Sequence, residues 1–204
     1  MKDTTKETYN RIAKDWAKDH ESDVWWIEGT DKFLSFLQKG NSILDVGCGA
    51  GHKSKYFADR GFGVVGIDFS EEMVKISSEH LLEGIFFVKD VHEPLGFEKS
   101  FDAVFAKAVL LHVAKKDINA ILENLLTVLK QGGYLYVAVK ETRPGDKEEE
   151  IATENDYGYE YERFFSYFTM DELRGYLSNA GLEVIYETIT VSGKKNWIQV
   201  VAQK

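Results

Sequence analysis

The residues SILDVGCGAG (42–51) join a short apolar run to a turn with glycine at positions 47, 49 and 51, and a helix-like segment follows. Glycine permits positive φ and lets a ligand approach the backbone without an intervening Cβ. Open α/β sheets bind ligands outside the carboxyl ends of their strands, where such turns lie. The stretch therefore predicts a buried parallel strand followed by a site for a nucleoside-containing ligand.

Two phosphate-binding fingerprints come close to this turn but do not fit it. A dinucleotide fingerprint needs a glycine three residues after its second glycine, where this chain has His52. A P-loop needs G-x-x-x-x-G-K-[ST], and GCGAGHKS (47–54) again has His52 in place of the last glycine. The remaining interpretation is a turn that holds a ligand without a diphosphate.

Strand-like and helix-like segments alternate along the chain, a pattern typical of a parallel sheet covered by helices. Ser70 and the capping-box spacing from Thr169 to Glu172 mark two helix starts. A third helix is expected to stop before Gly132-Gly133. The predicted strands are 42–46, 63–67, 85–88, 101–106, 134–139, 182–191 and 196–202, and the predicted helices are 50–59, 70–80, 117–129 and 169–180.

Composition indicates one globular domain. The chain has 204 residues, of which 44% are hydrophobic and 29% charged, and its two prolines and lack of a Ser/Gly-rich stretch give no sign of a linker. The expected parts are an N-terminal helical segment (1–39), a ligand-binding core (40–140), an insertion (141–168), and a C-terminal helix with a β-hairpin (169–204).

Charge and cysteine content narrow the function classes. A net charge of −9 repels phosphate backbones and anionic membranes, so nucleic acid is a disfavoured partner unless a local basic patch outweighs the excess. The single cysteine, Cys48, excludes an intramolecular disulfide and a cysteine-rich metal site, and no metal is expected. The polar start of the chain and the lack of an apolar run of about 18 residues predict a cytoplasmic location without a membrane span.

The motifs resemble those of class I S-adenosylmethionine-dependent methyltransferases. ILDVGCGAGHKS is similar to the family's first motif, Asp68 in VVGIDFSEEMV to its ribose-binding acid, and Asp90 in FFVKDVHEPLGF to the acid that meets the adenine amino group. SFDAVFAKAVLLHV and LKQGGYLYVAV resemble the fourth- and fifth-strand motifs, so the likeness covers about residues 40–140. Asp45, Asp68 and Asp90 also have plainer interpretations, as a turn cap, a helix-entry residue and a loop acid.

The resemblance implies a doubly wound α/β fold of the Rossmann-like methyltransferase type. It implies a seven-stranded, mostly parallel sheet with the last strand antiparallel and helices on both faces. It also implies S-adenosyl-L-methionine as cofactor, S-adenosyl-L-homocysteine as product and a role for Asp45 near the ligand's amino group. The implied cofactor-binding residues are Asp45, Gly47, Cys48, Gly49, Gly51, Asp68, Phe69, Asp90, Val91 and Ala106.

The acceptor side offers candidates without a fixed motif. His112 could act as a general base or simply close a helix entry, and Lys107 and Lys140 could attract an anionic acceptor or be solvated. Tyr9 and Trp16 share a helical face that is either part of a lid or a packing stripe. Alternate tyrosines of the insertion could line an aromatic pocket or cover the sheet edge. The substrate-side candidates are Tyr9, Trp16, Lys107, Lys140, Tyr159 and Arg163.

These features predict a methyltransferase for a small-molecule acceptor. Two alternatives stay open: an RNA methyltransferase, since RFFSYFTMDELRGYLSNAGLEV and KKNWIQVVAQK look like the ending of wobble-uridine tRNA methyltransferases, and a non-catalytic module that binds S-adenosylmethionine. A nucleotide hydrolase fits poorly because of His52. No motif in the sequence specifies the methylated atom, a general base or the oligomeric state.

Overall fold

The computed structural model describes residues 2–143, 145–193 and 195–204. Within them, seven strands form one sheet in the order β3-β2-β1-β4-β5-β9-β8, and β6 pairs with β7 in a separate two-stranded sheet. Strands β1 to β5 pair in parallel, whereas β9 is antiparallel to both β5 and β8. The strands are β1 Ser42–Val46, β2 Gly63–Asp68, β3 Ile85–Val88, β4 Phe101–Lys107, β5 Leu129–Lys140, β6 Glu149–Glu154, β7 Tyr161–Ser166, β8 Glu183–Ser192 and β9 Lys195–Gln203.

Six α-helices and two short 3₁₀ turns accompany these strands in the described part of the chain. Ser70 caps α4 by accepting a hydrogen bond from the Met73 backbone N–H, and Thr169 with Glu172 forms a complete capping box on α6, as predicted. The helices are α1 Lys2–Asp19, α2 Ile27–Leu34, α3 His52–Ala58, α4 Glu71–His80, α5 Ile118–Thr127 and α6 Met170–Asn179, and the 3₁₀ turns are Leu110–His112 and Lys115–Asp117.

Alternation along the strands builds a core on each face of the sheet. Leu44 and Val46 of β1 pack on one face with the apolar stripes of α5 and α6. Ile43 of β1 and Phe105 of β4 point to the other face, where α2 and α3 cover them. The predicted fold class, a doubly wound seven-stranded sheet with its last strand antiparallel and helices on both faces, is confirmed.

The end of α5 differs from the prediction. The helix stops at Thr127, and β5 already begins at Leu129, which pairs with Phe101. The register then shifts, so that Ala103 pairs with Tyr134 and Gly132-Gly133 lie in an irregularity within the strand. Apolar spacing could not separate the last helical turn from the first strand residues, because both bury their side chains.

The long insertion contains the β6–β7 hairpin, which the sequence did not predict. Glu149 pairs with Ser166 and Glu154 with Tyr161, so the hairpin spans most of residues 149–166. Strand β6 reads EEIATE and is half exposed, so its polar content resembles a solvated segment. Strand β7 is buried at its ends, where it packs against α1.

Candidate functional site

A cavity opens at the carboxyl ends of the central strands, next to the point where the strand order reverses between β1 and β4. Its lining is mostly apolar with a few polar groups that converge on it, as in other small-molecule sites. The glycine turn after β1 and the segment after β4 both line the cavity, and Val109 of that segment lies against Gly47. The cavity therefore lies where open α/β sheets bind ligands.

Asp68 closes strand β2 and holds the glycine turn in place. One carboxylate oxygen accepts the Gly49 backbone N–H at 3.0 Å, and the other accepts the Ser70 backbone N–H at 2.9 Å. The residue is 6% exposed, and burial raises its pKa to about 6 despite these hydrogen bonds. Each oxygen keeps a second lone pair, so the same carboxylate can accept further donors from a ligand.

Asp45 lies one residue before the end of β1 and is 2% exposed. Its carboxylate accepts a hydrogen bond of 2.6 Å from the Ser54 hydroxyl of α3. Burial raises its pKa to about 7, while the Ser54 hydrogen bond and the charge of Lys53 act in the opposite direction. At neutral pH, Asp45 is therefore present in both its ionised and its protonated form.

This raised pKa predicts that Asp45→Asn stabilises the ligand-free protein at pH 8. The unfolded carboxyl ionises near pH 3.8 and the folded one near 7, so the wild type loses stability as the pH rises through that window. The amide cannot ionise, so we expect a gain of roughly 1–3 kcal/mol at pH 8 and almost none at pH 4. Urea denaturation of both proteins at the two pH values measures it, and a less stable variant at pH 8 contradicts the expectation.

Asp90 lies two residues beyond β3 and forms a compact loop with His92. Its Oδ1 accepts the His92 backbone N–H at 2.9 Å and pairs with His92 Nδ1 at 2.8 Å. Its side chain is 21% exposed, so it reaches the cavity mouth with water nearby. Three acids from the ends of β1, β2 and β3 therefore line one cavity.

A chain of hydrogen bonds also borders the cavity. His112 Nδ1 is 2.7 Å from the Phe164 carbonyl, which only accepts, so this nitrogen carries the proton. Its Nε2 is 2.8 Å from the Tyr9 hydroxyl, and Arg163 donates to the Tyr9 oxygen at 3.0 Å. Arg163 is itself held by two bonds of 2.6 Å to Glu154. Burial lowers the pKa of His112 to about 3, so the imidazole is neutral.

Helix α1 covers the cavity mouth. Asn10 accepts a hydrogen bond from the Ser70 hydroxyl, and Lys6 pairs with Glu71, which ties α1 to α4. On the other side the Thr8 hydroxyl donates to the Glu162 carbonyl of β7. Helix α1 thus spans from α4 to the hairpin.

The chain turns sharply where β4 reaches the cavity. Ala108 has φ of +59°, a conformation that side chains with a Cβ adopt at a cost. Its backbone N–H donates to Ala138 of β5, which fixes the bend. The bend leaves Lys107 at the strand end and sends residues 109–113 back along the cavity wall.

The structure brings most of the predicted site residues together. The predicted residues that line the cavity are Tyr9, Trp16, Asp45, Gly47, Cys48, Gly49, Asp68, Phe69, Asp90, Val91, Lys107 and His112. Those that lie outside its lining are Gly51, Ala106, Lys140, Tyr159 and Arg163. Gly51 begins α3 behind the turn, Lys140 lies over the Phe165 ring, and Tyr159 donates to Asp15 on the outside of α1.

Sequence reasoning missed ten lining residues. Eight of them lie within two residues of a predicted site residue, so the sequence held a local signal for them. Thr5 and Met73 carry none, because their positions depend on how α1 and α4 pack over the strand ends. The missed residues are Thr5, Lys53, Ile67, Met73, Lys89, His92, Phe105, Ala108, Val109 and Val113.

Comparison with known proteins identifies the family. A family model described as a methyltransferase domain matches residues 19–187. A ubiquinone biosynthesis O-methyltransferase from Xanthomonas axonopodis pv. citri is 33% identical over 160 residues, which are 71% of this chain and 64% of that protein. A phosphoethanolamine N-methyltransferase from Triticum aestivum is 30% identical over 172 residues, which are 80% of this chain and 33% of that protein. The chain spans a third to two thirds of the length of these curated relatives.

Solved structures share the fold at low sequence identity. A 1,6-didemethyltoxoflavin-N1-methyltransferase from Burkholderia thailandensis, bound to 1,6-didemethyltoxoflavin and S-adenosylhomocysteine, superposes with a TM-score of 0.78 at 18% identity, covering 98% of this chain and 86% of that chain. A SAM-dependent methyltransferase from Methanosarcina mazei has a TM-score of 0.75 at 24% identity, covering 85% and 96%. In the described residues, no helix is long and apolar enough to cross a membrane. The family model matches residues 19–187, and the fold is shared with these solved methyltransferase structures. The chain therefore belongs to the class I S-adenosylmethionine-dependent methyltransferase family.

Proposed function

We propose that the chain binds S-adenosylmethionine in the cavity and transfers its methyl group to a small-molecule acceptor, leaving S-adenosylhomocysteine. The observation that carries this proposal is the convergence of Asp45, Asp68 and Asp90 on one cavity beside the glycine turn. A net charge of −9 supports a small molecule over a nucleic acid as acceptor. The absence of paired cysteines supports a cytoplasmic location.

The donor is assigned to the acid-lined wall. Asp68 has lone pairs left for the two ribose hydroxyls, and charge-assisted hydrogen bonds of this kind are the strong ones. Asp90 and Val91 are assigned to the adenine, and the backbone from Gly47 to Gly49 to the ligand's amino-acid part. Asp45 is assigned to the ligand's amino group. Of the residues outside the lining, Gly51 supports the turn from behind.

Methyl transfer is a displacement at an activated carbon. The acceptor's lone pair forms the new bond to the methyl carbon while the carbon–sulfur bond breaks, and the sulfonium takes up the electron pair and becomes a thioether. The protein mainly has to align the two molecules and exclude water. Helix α1, placed over the mouth, supports a lid function for this segment.

His112 is assigned a positioning role that acts through Tyr9. Its Nε2 accepts a hydrogen bond from the Tyr9 hydroxyl, and Arg163 donates to one lone pair of the Tyr9 oxygen. One lone pair of that oxygen remains, and Tyr9 lines the cavity. The Tyr9 oxygen is therefore oriented to accept an N–H or O–H hydrogen bond from the acceptor.

The first experiment is a calorimetric titration of the protein with S-adenosylmethionine, NADH and ATP, followed by an acceptor screen with a labelled methyl group. Selective binding of S-adenosylmethionine is expected, with label appearing in a small molecule. Label in RNA would favour the RNA methyltransferase alternative. Binding without transfer to any acceptor would favour a non-catalytic module, and binding of ATP or NADH instead would overturn the proposal.

Tyr9→Phe should lower kcat for the acceptor found in this screen by about tenfold to hundredfold, because the acceptor loses an aligned hydrogen bond. Binding of S-adenosylmethionine should change less than about twofold, since the phenyl ring keeps the packing of Tyr9 against Phe69. Tyr56→Phe is the matched control, because its hydroxyl donates to Asp31 away from the cavity. An unchanged kcat in a folded Tyr9→Phe variant would remove Tyr9 and His112 from the mechanism.

A further inference from the structure

We infer that Lys53 and Lys107 form a subsite in the cavity for an anionic group, a carboxylate or a phosphate, carried by a bound ligand. The inference rests on the proposed function. It concerns an anionic group of the ligand, whereas Asp45, Asp68 and Asp90 are assigned to its amino, hydroxyl and adenine groups. Lys53 enters the cavity from α3 and Lys107 from the end of β4. Because α3 follows β1, the two lysines come from the two neighbouring strands, β1 and β4, between which the strand order reverses.

Among the described residues, neither amine makes a hydrogen bond or an ion pair, and Asp45 and Asp23 act on them only over a longer distance. Their polar ends lie against indole rings instead. Lys107 Nζ lies 4.1 Å from the ring centre of Trp25, and Lys53 Nζ lies 5.1 Å from that of Trp26. Both lysines are half-buried, and a partly desolvated cation without a close ionic partner is costly. A ligand anion between these walls would therefore bring a gain.

All four tryptophans of the chain surround this pair. Trp197 packs against Trp25 in a tilted arrangement with ring centres 4.7 Å apart. The Trp197 ring centre lies 5.3 Å from Lys107 Nζ, and that of Trp16 lies 6.0 Å from Lys53 Nζ. The Trp26 ring is 5% exposed, and its Nε1–H has no hydrogen-bond partner among the described residues. The walls thus combine apolar surface, which excludes water, with cationic groups that have no acceptor.

The surrounding charges favour an anion. The charged groups that act on the two lysines are Asp45 on β1, Asp23 between α1 and α2, and the lysines themselves. Asp45 neutralises them only in part, because its own pKa is raised to about 7. Burial lowers the pKa of both lysines, and the charge of Lys53 lowers that of Lys107 further. A bound anion opposes each of these shifts.

Two sources can supply the anion, and calorimetry of Lys53→Met and Lys107→Met separates them. The probes are S-adenosylhomocysteine, 5′-methylthioadenosine, which lacks the amino-acid part, and benzoate and inorganic phosphate added with and without S-adenosylhomocysteine. Loss of a charged hydrogen bond should weaken binding by about tenfold or more. Lys55→Met is the matched control, because Lys55 lies on the same helix and pairs with Asp59 on the surface.

If both lysine variants weaken S-adenosylhomocysteine but not 5′-methylthioadenosine, the subsite holds the donor's carboxylate. If they spare S-adenosylhomocysteine but weaken benzoate or phosphate in its complex, the subsite holds an anionic group of the acceptor. Lys107→Arg should restore binding in either case, which a loss of packing would not allow. Affinities within about twofold of the wild type for every probe would overturn the subsite.

The proposed function can fail separately from this inference. A wild-type protein that binds neither S-adenosylmethionine nor S-adenosylhomocysteine would refute the donor assignment. Benzoate and phosphate binding to the ligand-free protein would still test the two lysines, since those titrations need no nucleoside. Each variant is first compared with the wild type by thermal unfolding, so that a misfolded protein is recognised as such.

Discussion

Asp68→Ala is expected to weaken S-adenosylmethionine binding by at least about tenfold, since a charged hydrogen bond is worth roughly 1.5–3 kcal/mol. The substitution removes the proposed acceptor for both ribose hydroxyls. It also frees the Gly49 and Ser70 N–H groups that the carboxylate now orders, so the turn itself loses definition. Calorimetric titration with S-adenosylmethionine measures the loss.

Asp102→Ala provides the matched control for this variant. Asp102 is also a partly buried aspartate that accepts a backbone N–H, from Ser42 at 2.8 Å, and it also accepts the Ser42 hydroxyl. It lies at the amino-terminal end of the parallel strands, opposite the glycine turn. Its removal should therefore lower stability without changing donor affinity. Equal affinities for wild type and a folded Asp68→Ala protein would refute the ribose assignment.

Gly51→Ala should have the largest effect on stability, a loss of roughly 2–5 kcal/mol. Gly51 has φ of +83° at the start of α3. A Cβ there would lie 2.9 Å from the Ser77 Cβ and 3.1 Å from the Ser77 Cα. Helix α4 would have to move away from the turn, which would disturb Asp68 at its base. Urea denaturation reports the stability, and donor titration reports the damage to the site.

Gly61→Ala separates the steric contact with Ser77 from the cost of the left-handed backbone conformation. Gly61 has φ of +85°, almost the same as Gly51, but a Cβ there would meet no atom within 4 Å. Only the cost of the left-handed conformation applies, about 1–2 kcal/mol. If Gly51→Ala is no more destabilising than Gly61→Ala, the close approach of α4 is not what requires glycine at position 51.

The donor site could be predicted because its residues lie directly at the ends of strands that the sequence pattern also reveals. Strand β1 is buried on both faces and therefore reads as an apolar run, and the glycine turn follows it directly. Asp68 and Asp90 lie at or just beyond the ends of β2 and β3, so the strand pattern also located the acids. Each of these signals is local in sequence, within a few residues of the element that positions it.

The acceptor half could not be predicted because its contacts join distant segments. Tyr9 contacts His112 and Arg163 across more than one hundred residues. Trp25 packs against Trp197, which lies near the other end of the chain. Strand β6 has no apolar alternation of its own and is defined by its pairing with β7. Hydrophobic periodicity does not predict such long-range contacts, because they form only when α1 and the hairpin pack over the sheet.

The placement of α1 bears on how fast the protein works. In the proposed reaction, each turnover admits two molecules and releases two through the mouth that α1 covers. We therefore expect the contacts of Asn10, Lys6 and Thr8 to break and re-form in every cycle. Exposed ion pairs and single hydrogen bonds cost about 0.5–1.5 kcal/mol each to break. Opening is then a microsecond-to-millisecond event. We expect product escape, rather than the chemical step, to set the turnover rate, with a burst of product in the first cycle.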